Sequence, residues 1–318
     1  MRVLAAPDKF RGTLNAREAA AAIAAGAARA GWDCDELPLA DGGEGTLEVL
    51  GGGNRTTVVT GPLGEPVLAA WRLNADGTAL IEAVQACGLT LAGGAERNDP
   101  LSATSRGVGE LIAAAIAAGA KRIVVAVGGV ASTDGGVGAV DALGGRLAIP
   151  VEVACDVEAR FLAAADVFAP QKGATPEQVE ILRERLAALE VPDIPMAGAA
   201  GGLAGGLAAL GARLVPGFLL VAGRLDLDGH LSGADIVITG EGLVDATSLT
   251  GKVVGGVLAR AAAAGVETLV VAGDVVTNPP FDVVSLVALC GRERALADSR
   301  ACIAEVVEKE LRGRTRTA

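Results

Sequence analysis

The sequence predicts an α/β protein in which an open α/β domain, built from both chain ends, holds an inserted mixed α+β domain. Three observations carry this reading. Short apolar strands alternate with Ala-rich helices near both ends of the chain, the pattern of a parallel sheet covered by helices. Residues 56–84 read instead as extended segments joined by hairpins, with Asp76-Gly77 as the turn signal. At 318 residues the chain is longer than one small core needs, and roughly 100–200 residues per domain makes two domains the prior. The expected division is 1–55 with 230–318 for the open domain and 56–229 for the insert.

The elements follow in order. Strand 2–6 leads through a polar loop to a helix from Asn15 to Ala30. Asn15 and Glu18 have capping-box spacing, and Gly31 stands just past the helix end. Strand 35–39 precedes the loop ADGGEG and a short helix near 46–50. Past the hairpins come helix 108–118, strand 122–128, a Gly-rich turn with a helix to 143, and strand 151–155. Helix 176–189 opens on Thr175-Pro176, with Gln178 at the capping-box position. The Gly-rich run 197–206 leads into helix 207–212. Strand 234–240, helix 251–264, strands 267–272 and 283–289 and a helix at 296–311 complete the pattern.

Composition excludes several classes of function. There is no Tyr, with two Trp and five Phe, so the core is built from Ala, Val, Leu and Ile and few rings are available for base stacking. A formal net charge of −11 repels a polyphosphate backbone, which makes nucleic acid a poor partner. Five scattered cysteines without a C-x-x-C pair fit neither a disulfide framework nor a zinc site, and suit reduced thiols. No apolar run reaches the ~18 residues of a membrane span without a Gly or a charge. Residues 2–6 (RVLAA) read as the first strand and not as a leader, so the expected compartment is the cytoplasm. His230 is the single histidine and lies in a polar loop with no nucleophile motif beside it, which argues against a hydrolase.

Five segments place Gly beside charged residues directly after a strand. They are Pro7–Thr13, Ala40–Thr46, Gly128–Gly136, Pro170–Gly173 and Thr239–Asp245, the last with Ser248 and Lys252 beyond it. Ligands of open α/β sheets bind outside the carboxyl ends of strands, where four of these segments would lie. Gly lets backbone N–H groups approach oxyanions, and helix N-termini add positive potential. One Gly-Gly pair is an ordinary turn; five segments with repeated Asp and Lys ask for more. No Walker A and no G-x-G-x-x-G opens a first βα unit. Lys9, Arg11, Lys172 and Lys252 are the cations inside the motifs, and Asp41, Glu44, Asp134, Glu241 and Asp245 are oxygen donors suited to Mg²⁺. Asp134 competes with a helix-capping role beside Gly135, and Asp156 with a cap on a helix near 158. The run AGAAGGLAGG fits close helix packing as well as nucleotide contact.

PDKFRGTLNA, PLADGGEGT, GPLGEP, TSRGVGEL, VGG…DGG, VACDV, PQKGA, AGAAGGL and ITGEG..D..S..GK occur here in the order found in bacterial glycerate kinases. From about Val3 to Leu311 the chain resembles that family, in particular the group whose product is 2-phosphoglycerate. The resemblance implies a flavodoxin-like domain with an inserted restriction-enzyme-like domain. It also implies Mg²⁺-assisted transfer of phosphate from ATP to glycerate in a cleft between them. On these matches the catalytic set is Asp8, Lys9, Arg11, Asp134, Lys172 and Lys252. The nucleotide-binding set is Gly128, Gly129, Ser132, Thr133, Gly201, Gly202 and Gly240, and the metal set is Asp41, Glu44, Glu241 and Asp245. Lys172 or Lys252 is assigned to phosphates, Arg11 to the glycerate carboxylate through a bidentate fork, and Asp134 or Asp8 to the hydroxyl proton. The expected partners are glycerate and ATP, with no nucleic acid and no membrane, and a homodimer is the candidate assembly. Departures from the family pattern fall at Val130, Ser132, Thr133, Glu158–Asp166, Leu243 and Thr247. They motivate two alternatives, a kinase for another small hydroxy-acid and a non-catalytic nucleotide- or metabolite-binding protein.

Overall fold

The computed structural model describes residues 1–10, 12–245, 248 and 252–315. In chain order the strands are β1 (Arg2–Ala5), β2 (Asp33–Glu36), β3 (Arg55–Thr60), β4 (Pro66–Leu73), β5 (Thr78–Glu82) and β6 (Arg122–Ala126). They continue with β7 (Val151–Cys155), β8 (Arg213–Pro216), β9 (Ile236–Val244), β10 (Glu267–Val275) and β11 (Val283–Ser285). The chain divides into two compact units, Met1–Asp41 with Phe218–Ala318, and Gly42–Gly217.

In the first unit all pairings are parallel and the strand order is β11-β10-β9-β1-β2. Numbered within that sheet the order is 2-1-3-4-5, the flavodoxin-like arrangement, whose strand order reverses between β1 and β9. Its core gathers Val3, Ile23, Ile238, Val271, Ile303 and Val307. Helix Ala16–Arg29 starts on a complete capping box, Asn15 with Glu18. A Cβ at Gly26 would come within 2.8 Å of Val307 Cβ, so this glycine lets the helix approach helix Ser299–Thr315.

The second unit carries a six-stranded sheet, β3-β4-β5-β6-β7-β8. The first two pairings are antiparallel hairpins and the remaining three are parallel. Trp71, Ile81, Leu111, Ile123, Val153 and Leu203 pack its core. The α/β class read from the sequence holds for the whole chain.

The expected domain limits shift for physical reasons. Residues 42–55 belong with the second unit, because Val127 N donates to Gly42 O and Glu82 accepts from Gly45 N and Leu47 N. Residues 218–229 belong with the first, where Gly256 leaves space for the Phe218 ring. Several elements also differ. β9 runs through Val244 because β10 pairs alongside it as far as Val275, so most of the expected loop 239–245 is strand. Only Val283–Ser285 of the expected strand 283–289 is extended; Leu286–Cys290 is helical, capped by Ser285. No helix starts near 158, and Asp156 precedes a 3₁₀ turn at Phe161–Ala163. β8 and helices Gly217–Arg224 and Leu227–Leu231 have no counterpart in the sequence reading, and exposed His230 lies on the last of these helices.

Candidate active site

The site in the first unit is built by two ladders that continue past β1. On one side Leu37 N donates to Ala5 O and Leu39 N to Pro7 O, which carries the chain on to Asp41. On the other side Ala6 N donates to Ile238 O and Asp8 N to Gly240 O, with Thr239 Oγ1 closing on Ala6 O at 2.8 Å. Asp8 is thereby held at the switch point, in the electrostatic reach of both Asp41 and Glu241. All three are nearly buried, Asp8 at 6%, Asp41 at 8% and Glu241 at 9% exposure.

Buried carboxylates with like-charged neighbours are hard to ionise. Burial pushes the Asp8 carboxyl up to about 7; Lys9 opposes the rise, through its charge and through its N–H donating to Asp8 Oδ1 at 2.7 Å, while Asp41 and Glu241 add to it. Glu241 is likewise raised, first by burial and then by Asp245 and Asp41, with Ser248 and Lys252 pulling the other way. One Glu241 oxygen, Oε1, is buried without a hydrogen-bond partner among the described residues. Lys252 stands at the N-cap of helix Val253–Ala264. Asp8, Lys9, Asp41, Glu241, Asp245 and Lys252 thus belong to one unit and one strand edge. Arg11 lies outside the described residues.

Of the predicted metal set, Asp41, Glu241 and Asp245 lie in the first unit, while Glu44 is exposed in the second. Among the described residues no group of three or more His, Cys, Asp or Glu is arranged to hold a metal ion.

In the second unit the predicted residues turn inward. Asp134 Oδ2 accepts from Ser105 N, Ser105 Oγ and Gly138 N at 2.8–3.2 Å, and Oδ1 accepts from Gly136 N at 3.1 Å. Its oxygens satisfy the start of helix Val137–Ala142, the arrangement the capping reading expects. Ser132 and Thr133, expected at the nucleotide, are 0% and 1% exposed; Ser132 Oγ lies 3.4 Å from Cys87 Sγ. Lys172, expected on a phosphate, is 4% exposed and donates to Ser132 O at 2.6 Å. Among the predicted glycines, Gly128 is a close approach, because a Cβ there would meet Gly43 Cα at 2.6 Å. Gly201 and Gly202 are buried against residues 132–135 and Phe161. Gly240, in the first unit, is buried within β9 against Val271 O. Gly129 alone of the seven is exposed, at φ +74°.

Sequence reasoning missed Glu82. It is 4% exposed at the end of β5, and its Oε1 accepts from Gly45 N at 2.8 Å and Leu47 N at 3.0 Å, fixing the loop that carries Glu44. Burial raises its pKa despite these bonds. The available signal was a lone carboxylate closing the apolar run TALIE.

Ligands of doubly wound sheets bind at the switch point, where this chain places acidic and cationic side chains. The comparisons give the family. The profile of the glycerate kinase family matches residues 3–150 and 147–312. The glycerate 2-kinase of Escherichia coli K12 is 38% identical over 80% of this chain and 80% of its own. The glycerate kinase of Bacillus subtilis 168 is 38% identical over 86% and 85%. A crystal structure of a candidate glycerate kinase 2 from Salmonella typhimurium LT2 superposes with a TM-score of 0.82 at 33% identity, over 100% of this chain and 99% of the other. The chain belongs to the glycerate kinase family and is an enzyme of the kinase class. No helix among the described residues is long and apolar enough to cross a membrane.

Proposed function

We propose that this chain transfers the terminal phosphoryl group of ATP to the 2-hydroxyl of glycerate, assisted by Mg²⁺. The observation that carries the reading is Asp8, a buried carboxyl at the switch point of a kinase-family fold, raised to about 7 by its surroundings. A base works best when its pKa lies near the working pH, so Asp8 accepts the proton of the attacking hydroxyl. Phosphoryl transfer needs positioning and charge neutralisation more than covalent chemistry, and Lys9 and Lys252 supply positive charge beside the carboxylates. Arg11 takes the glycerate carboxylate as a bidentate partner.

The residues fit a divalent ion through Glu241, whose buried Oε1 is an acceptor with no donor among the described residues. Mg²⁺ uses one or two carboxylates and fills its remaining positions with water and phosphate oxygens, so Glu241 with Asp41 suffices to hold it. When bound, the ion neutralises charge on the phosphates.

The test is ADP release from Mg-ATP by the full chain, with D-glycerate as acceptor and the product passed to enolase, which consumes 2-phosphoglycerate directly. Glycerate-dependent ADP release with immediate enolase turnover is expected. Product that enolase takes only after a mutase is added would mean the 3-hydroxyl is phosphorylated. No glycerate-dependent release at all would refute the reading.

A further inference from the structure

The second unit contains a buried lysine that the reaction outlined above does not use. Lys172 ends a 3₁₀ turn, Pro170–Lys172, and sends its side chain inward. Its ammonium donates to Ser132 O at 2.6 Å and lies 3.5 Å from Thr133 Oγ1. The titratable groups facing it are Cys87, from helix Val84–Cys87, and Asp134, and it forms no ion pair among the described residues. Burying an ammonium is costly unless its donors are used, and here they are spent on the loop after β6.

Two other segments grip the same loop. Asn98 Nδ2 donates to Ala131 O at 3.2 Å and to Lys172 O at 2.9 Å, tying the loop to the backbone of the lysine turn. From the other side Gly201 O accepts from Gly135 N at 3.1 Å. A Cβ on Gly201 would lie 2.9 Å from Lys172 Nζ and 2.7 Å from Thr133 Cα, and its φ of +66° also disfavours a side chain. Three motifs singled out in the sequence, 128–136, 170–173 and 197–203, therefore meet at one ammonium. The exposed residue at the head of this loop is Gly129, whose backbone an anionic ligand can approach.

We infer that Lys172 is a positioning residue: through Ser132 O it fixes the 131–135 loop, and it acts on the phosphate donor by way of that loop and not by contact. The inference rests on the kinase reading above for its link to ATP, but its structural half stands alone. Burial lowers the Lys172 pKa to about 8, so the cost of holding its charge inside the loop titrates away within an accessible pH range.

The experiment is amide hydrogen exchange on the full chain, paired with steady-state kinetics, for wild type, Lys172→Met and Gly201→Ala. Methionine keeps the length and removes the donor; alanine at 201 crowds the same ammonium and leaves the lysine in place. In Lys172→Met, exchange in peptides covering 130–136 and 198–203 should rise at least tenfold, with 236–244 unchanged. The KM for Mg-ATP should rise at least tenfold in both variants, with that for glycerate within threefold. In wild type, protection of 130–136, corrected for intrinsic rate, should rise between pH 8 and 10, because opening the loop hydrates Lys172 and lets it regain its proton, and Lys172→Met should lack this rise. Unchanged exchange in 130–136 would overturn the inference. So would a kcat loss of a thousandfold with the exchange map intact, since that marks a residue in contact with the reacting phosphate. If wild type fails to phosphorylate glycerate, the kinase reading falls, and the exchange map and its pH dependence still decide the role of Lys172. If a variant does not fold, the wild-type pH series decides it.

Discussion

Asp8 and Asp134 both follow a strand of a parallel pairing, both stand in a glycine-containing motif, and both match the same family pattern. Their surroundings separate them. Asp134 accepts four hydrogen bonds from Ser105, Gly136 and Gly138, all inside its own unit. Asp8 lies between ladders, near two other carboxylates, one of which keeps a buried oxygen without a donor among the described residues. A carboxylate with its acceptors filled is part of the scaffold. One held beside like charges carries a standing cost that a cation or a proton relieves. The comparison teaches that motif resemblance marks where polar groups sit, while the hydrogen-bond inventory shows which of them already have their acceptors filled.

The largest effect is expected at Asp8. Asp8→Asn should lower kcat by roughly 10²–10⁴-fold, the usual worth of a general base. The same variant should be more stable than wild type at pH 8, raising Tm by about 2–8 °C for one to two kcal/mol. Because the folded-state pKa is raised, the cost of the wild-type charge is present above about 7 and fades as pH falls toward 4, so the gain in Tm should shrink over that range. Thermal melts at pH 8 and pH 5 with initial rates check both halves; a variant that loses activity and stability together breaks the comparison.

Next in size is Gly240→Ala. The new Cβ would collide with Val271 O on the neighbouring strand, backbone that cannot swing away, at the point where β9 holds Asp8. A loss of about 2–4 kcal/mol is expected in urea unfolding, with impaired turnover of whatever folds.

Lys172 gives a smaller effect of opposite sign. With a folded pKa near 8 against 10.5 unfolded, the unfolded chain binds the extra proton between these values, and stability rises with pH there. Wild type should gain up to about 3 kcal/mol from this group between pH 8 and 10.5, against a background that Lys172→Met reports without it. Parallel stability curves for the two proteins would contradict the burial of the ammonium.

The smallest effect is expected at Ser132→Ala. Its hydroxyl faces Cys87 and is fully buried, so the KM for ATP should change less than threefold while stability falls by about 1 kcal/mol. A tenfold rise in that KM would restore Ser132 to the nucleotide site.

Much of the fold was legible because it is written locally. The boxes at Asn15 with Glu18 and Thr175 with Gln178 form as the spacing predicts, since a cap needs only four neighbouring residues. β9 was drawn too short because Glu241 and Leu243 look like loop residues until β10 supplies their partners, Ala272 and Asp274. That Asp8, Asp41 and Glu241 would gather at one strand edge was readable from charge and strand ends together. The inward turn of Ser132, Thr133 and Lys172 was not readable, because these residues carry the types of a phosphate site while packing among themselves. Nothing in their spacing says which way a side chain turns.

The sheet holding Asp8 draws β1 and β2 from residues before 42 and β9, β10 and β11 from residues after 217. This has a consequence for biosynthesis. On the ribosome, β1 emerges before its neighbour β9 and waits for it, and helix Ala16–Arg29 waits for helix Ser299–Thr315, against which Gly26 packs. At about 5–20 residues per second, that interval is on the order of 10–60 s, while residues 42–217 are complete and free to fold. The apolar first strand is then exposed, an unpaired edge open to mispairing. A pulse-labelled nascent chain stalled with residue 217 clear of the ribosome but β9 still within it should contain a protease-resistant core from 42–217 and a sensitive segment 1–41, whose protection arrives only once β9 and helix Ser299–Thr315 have emerged.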